Sequence, residues 1–339
     1  PGVEWSLGSS QYQTLQYYHV GIDPTTGSRN YYGGAQDNST TFRDKSGILG
    51  PAISDSNDHY IVLGGDGCQV GMTKKNTAGN QFLFCAAQSG QMYRMKLFDF
   101  STGLYTSIRP TGSADGEFIT YFHLDPDNTD FLYYVSKNSI YRTGDAEKVS
   151  TSSWTLMDGV NTSVTGSIFA LATTRGPYAA NNHLFIGTSS GKIYRLKDPQ
   201  WGASGNQPFD ITPSGMTSGS VVKDISVNPR NQDTVMAVVS NYGVNSIFWT
   251  GNATAALPTW QVAEGNLTLP SVRACEIIAK TTGIEYYVGT SIGLYSTTTI
   301  NGASTIWAKE NGTAATPAAM MNDAIINSLA HRWTDNTMV

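Results

Sequence analysis

The chain has 339 residues, of which only 14% are charged, against 35 Gly, 18 Tyr and 7 Trp. That is the composition of many short strands and polar turns, not of Glu/Lys-rich surface helices. A net charge of −5 without any Lys/Arg stripe excludes the electrostatic footprint of a nucleic-acid binder. No apolar run approaches the roughly 20 residues that span a bilayer, so no membrane insertion is expected. Pro1 opens with neither a charged n-region nor an apolar h-region, as a mature or excised chain would.

In chain order, "VEWSLG" comes first, with Trp5 suited to an outermost strand. Next, "VGIDPTTGSRN" reads as a strand running into an Asp-Pro turn. "YYGGAQDN" from Tyr31 is a second strand ending in a polar turn, and "TTFR" is a third strand. The same order then returns. The second-strand stretches "YYGGAQDN", "LFCAAQSG", "LYYVSKNS", "LFIGTSSG", "VMAVVSNY" and "YYVGTSIG" begin at Tyr31, Leu83, Leu132, Leu184, Val235 and Tyr286, spaced 52, 49, 52, 51 and 51 residues apart. Before them recur "FHLDPDNTD" and "ISVNPRNQD". After them come "MYRM", "IYRT", "IYRL", "IFWT" and "LYST", and Trp154, Trp260 and Trp307 then open a further strand. Alternating apolar residues punctuated by Gly, Asn, Asp and Pro give strands, and no stretch keeps a helical period.

Four antiparallel strands in about 50 residues make a propeller blade. The expected fold is therefore all-β, a seven-bladed β-propeller forming one domain over 1–339. Its repeats start near 16, 66, 116, 166, 220, 272 and 323. A seventh copy of the second strand falls due near 337, where "TMV" stands. The last blade is thus shared between the two ends of the chain, which removes exposed sheet edges. Six blades plus a disordered end is the alternative.

These motifs, above all "IDPTTGSRNYYGGAQDNST" and "GGDGCQVGM" followed by "FLFCAAQSGQMYRM", resemble the bacterial neuraminidase repeat (Asp-box) superfamily. Within it, the branch of sortilin-like propellers and xyloglucan-active glycoside hydrolases is most similar. The Asp box itself is worn, surviving as "TGDAEKVSTSSW" and "TGNATAALPTW". The arginine triad of true sialidases is not recognisable. The resemblance implies a bacterial exported protein in which such a propeller is one module among several.

In a propeller the hairpins between second and third strands share one face with the segments leading into the innermost strands, and ligands use that face. The ligand-binding candidates are Gln36, Asp37, Asn38, Gln88, Asn138, Asn241, Tyr242 and Arg273. Amides suit sugar hydroxyls, but Asn and Asp also close their own turns. Asp66 and Asp115, 49 residues apart in the same Asp-Gly context, and Glu117 are the candidate acid pair for glycoside hydrolysis. The competing reading is that each caps its turn.

No cofactor is expected. "DPDNTD", Asp125 to Asp130, mimics a calcium loop, but the equivalent turns "DPTTGSRN" and "NPRNQD" lack its ligands. Cys68, Cys85 and Cys275 show neither a disulfide framework nor metal spacing. His19 and His123 sit on innermost strands as core histidines. The leading expectation is a secreted or cell-surface, monomeric module of a larger chain that binds a glycan or protein ligand without catalysis. The alternative is a polysaccharide hydrolase.

Overall fold

The computed structural model describes residues 16–45, 47, 59–97, 105–176, 181–200, 207–268, 270–310 and 323–339. The "VEWSLG" segment with Trp5 lies outside these residues. Among them, six four-stranded antiparallel sheets follow one another, each with its strands in chain order. Their first strands are His19–Ile22, Gly67–Met72, Phe122–Leu124, Ile168–Thr173, Val222–Val227 and Val272–Lys280. Each first strand packs against the first strand of the next sheet. The arrangement is propeller-like, with the first strands innermost.

A two-stranded unit, His331–Arg332 paired with Thr337–Met338, lies between the sixth sheet and the first. On one side the Ile326 N–H donates to Thr290 O at 2.9 Å and Arg273 donates to Asn327 Oδ1 at 3.0 Å. On the other side the Val20 N–H donates to Ser328 Oγ, and the Arg332 guanidinium donates to Asp23 O and Ser28 O at 2.7 and 2.9 Å.

The repeated motifs have local causes. Asp23, Asp125 and Asn228 are buried, and each side chain accepts the N–H two residues on. That is the reason for Asp or Asn ahead of Pro: the residue closes its turn with its own side chain. The tryptophans stitch neighbouring sheets. Trp154, Trp260 and Trp307 donate their indole N–H to Ile108 O, Ile211 O and Ala263 O, each on the preceding sheet, at 2.7, 2.8 and 2.8 Å. The core lies between successive sheets, in apolar layers such as Phe185, Val222, Ala237 and Phe248.

Gly33 and Gly34 of "YYGG" are explained by crowding. A Cβ on Gly33 would come within 2.4 Å of the Tyr17 ring, and one on Gly34 within 2.1 Å of Cys68 O. The first and second sheets approach so closely at Gly34 and Gly67 that neither position has room for a side chain. All three cysteines are buried and free.

Candidate functional site

The polar residues of the hairpins between second and third strands are heavily engaged. Asp37 sits at φ 57°, and its N–H donates to Asp66 Oδ1 at 2.7 Å. The Asp66 N–H donates to Gln88 Oε1 at 3.2 Å. Gln36 Oε1 accepts the Tyr18 hydroxyl, and the Asn38 amide donates to Gln36 O at 2.9 Å. Asn138 donates to Asn161 O, and Asn241 Oδ1 accepts the Val221 N–H at 2.7 Å. The structure therefore joins Asp37, Asp66 and Gln88 into one chain of bonds across the first two sheets. Tyr242 is different: it is 64% exposed. Ser291, and after it Arg273, holds its phenol below the usual range.

Each of the three proposed acids has its own protein partner, Asp66 through the Asp37 N–H. Asp115 pairs with Arg109 at 2.8 Å and is largely exposed. Glu117 Oε1 accepts the Ser167 hydroxyl at 2.6 Å. Neither Asp66 nor Asp115 lines the central cavity. Within "DPDNTD", Asp125 is occupied by the Asp127 and Asn128 N–H groups, and Asp127 pairs with Arg175 at 2.9 Å. Among the described residues no group of three or more His, Cys, Asp or Glu is arranged to hold a metal ion.

The other concentration of chemistry is the channel along the axis, a cavity of about 240 Å3. It adjoins a second of about 190 Å3, and the two share Gln69, His123, Arg175 and His331. Its lining is set by β-bulges. Pairing slips by one residue between Val222 and Asp224, between Val272 and Ala274, and between Ile168 and Ala170. The extra residues are Lys223, Arg273 and Phe169. A similar slip between Gly67 and Val70 spans Gln69. Bulges re-aim side chains, and these recur at the start of the innermost strand in four sheets.

Lys223 lies 5.9 Å above the Phe169 ring. Beside it, Asp224 accepts the Ile225 N–H at 2.8 Å and the Cys275 N–H at 2.9 Å. Burial, with Glu276 adding, raises its carboxyl to about 7. His123, buried near Arg175, is pushed down to about 4, and the buried His19 well below its usual value. Glu276 faces His331, with Oε1 to Nδ1 at 3.7 Å, beyond hydrogen-bond reach.

Of these residues, the sequence reading named Arg273 as a ligand-binding candidate and His19 and His123 as core histidines, but missed Gln69, Lys223, Asp224 and His331. The available signal was the break in alternation at "VVKDISV", where two charged residues interrupt an apolar inner strand. Comparison of the chain with protein-family models and with curated proteins finds no match. Among the described residues no helix is long and apolar enough to cross a membrane.

Proposed function

We propose that the chain is a seven-bladed propeller forming a single domain, its last blade shared by the two ends. In this reading it is a secreted or cell-surface, monomeric module of a larger exported bacterial protein of the Asp-box superfamily. It binds glycans, or failing these a protein ligand, without cleaving them. The observation that carries the binding reading is the engagement of the three acids on the hairpin face. Asp66 is tied to Asp37, Asp115 to Arg109 and Glu117 to Ser167. Glycoside hydrolysis needs two carboxyls on either side of one bond, whereas each of these acids has its own protein partner, as a turn-closing residue does. Low charge and abundant hydroxyl, amide and aromatic side chains suit sugar hydroxyls and ring faces. Tyr242 with Arg273 supplies an exposed aromatic beside a donor on that face.

The test is a broad glycan and polysaccharide array probed with the purified chain. Saturable binding to a defined family is the expected result. A blank array together with capture of an extended peptide would replace the glycan by a protein ligand. One observation favours hydrolysis as a second reading. Asp224 and Glu276 both line the channel, and a carboxyl raised to about 7 has the protonation behaviour of a general acid.

A further inference from the structure

The buried polar groups of the channel do not all find partners in the protein. The His331 side chain is only 1% exposed, yet neither Nδ1 nor Nε2 makes a hydrogen bond. Gln69 Oε1 is likewise buried and unpartnered. Both residues line the same two adjoining cavities. They come from the closing unit and the second sheet, and Asp224 and Glu276 meet them from the fifth and sixth. Buried donors and acceptors are normally satisfied, so several facing one cavity mark a polar ligand.

Resting on the glycan-binding reading, we propose that this channel is a subsite for one neutral, polyhydroxylated unit, the terminal residue of a sugar chain. The lining chooses that class. Above about pH 7, where Asp224 is ionised, Lys223 and Arg273 balance Asp224 and Glu276, so the channel favours neither an anion nor a cation. Arg175, the next cation on the wall, is already paired with Asp127. Acceptors (Glu276 and Gln69 Oε1) and donors (Lys223 and a nitrogen of His331) share the lining, and the Asp224 carboxyl serves as either. A hydroxyl answers both, because it donates one hydrogen and accepts at two lone pairs. Asp224 is held in register by the two backbone N–H groups it accepts. His19 and Tyr121, with ring centroids 5.7 Å and planes 40° apart, add two aromatic surfaces to the lining, against which a pyranose ring packs. The cavity of about 240 Å3 equals the liquid volume of about eight waters, the scale of one sugar ring with its hydroxyls.

The experiment titrates the intact chain, by saturation-transfer NMR, with the methyl glycosides of glucose, galactose, mannose and xylose. Glucuronate and glucosamine serve as charged contrasts. At least one neutral glycoside should bind with a dissociation constant in the millimolar range. Gln69→Met and His331→Gln should each weaken it by about tenfold, as expected when a hydrogen bond to a buried group is lost. Leu257→Ser, on an exposed loop away from the channel, should leave it unchanged. Thermal melting of each variant checks folding, and if His331→Gln does not fold, Gln69→Met alone decides.

Array glycans that bind the wild type and both channel variants equally would overturn the channel subsite while leaving the binding reading intact. Stronger saturation by glucuronate or glucosamine than by any neutral glycoside would also overturn it. Absence of all glycan binding would overturn both.

Discussion

Replacing Arg332 by alanine tests how the two-stranded unit is held to the first sheet. Its side chain is 4% exposed and donates to Asp23 O, Ser28 O, Asp335 and Thr337 Oγ1. Two of these acceptors are carbonyls of the first sheet, more than 300 residues away in sequence. Truncation leaves the Asp23 and Ser28 carbonyls without this donor, while Asp335 keeps the Gly27 and Thr337 donors. A hydrogen bond from a charged donor contributes about 1.5–3 kcal/mol, so losing these two costs about 3–6 kcal/mol. Unfolding entropy is about 2.1 cal/mol/K per residue, so for 339 residues it is about 0.7 kcal/mol/K. The expected fall in Tm is therefore about 4–8 °C by differential scanning calorimetry.

The pH dependence gives a second check on the same residue. Arg332 holds the Asp335 carboxyl well below the usual carboxylate range. The link is thus fully present above about pH 4 and is lost as pH falls through and below that value. The gap between wild type and Arg332→Ala should narrow on acidification. A melting shift below about 1 °C at neutral pH would refute the view that this contact closes the structure.

Other consequences follow from the packing and the channel. Gly34→Ala forces a Cβ within 2.1 Å of Cys68 O and should cost about 1–3 kcal/mol or more, read as a lower denaturant midpoint. Asp224 and His123 should tilt stability in opposite directions between pH 4 and 7. The raised Asp224 carboxyl binds its proton more tightly folded than unfolded, so its contribution is full below about 4 and lost as pH rises towards 7. The depressed His123 works the other way, its contribution being lost as pH falls from about 6.5 towards 4. Denaturant titrations of Asp224→Asn and His123→Gln should therefore change the slope of stability against pH with opposite signs. The three cysteines are buried, and burial raises every thiol, Cys68 to about 11. A thiol reagent should find no rapidly reacting group in the native protein and three after unfolding.

The repeating sheets were legible because their cause is local. Asp23 and Asp125 close their turns within a few residues. Each inner strand is followed at a near-constant distance by an apolar second strand, so a spacing of about 51 residues exposes the blades. The second strand of the closing pair, Thr337–Met338, stands where that spacing sets it.

The channel was harder to read because its cause is not local. Gln69 and His331 belong to inner strands far apart in sequence, and only the circular packing brings them to one cavity. Bulges hid the rest. A single extra residue shifts the alternation, so Lys223 and Asp224 both face the axis where a regular strand would turn one of them away. The turn residues Gln36, Asp37 and Asn38 stood out in the sequence because amide-rich turns are conspicuous. Their bonds to Tyr18 and Asp66 and within the hairpin show that such turns also serve to join sheets.

The most direct test of a propeller that binds sugar without cutting it is an end-group assay on a polysaccharide that the array shows to be bound. Saturable binding with no new reducing ends over prolonged incubation is the expected result. Release of reducing ends by the wild type, abolished by Asp224→Asn or Glu276→Gln in a folded variant, would contradict it and make the channel a catalytic centre.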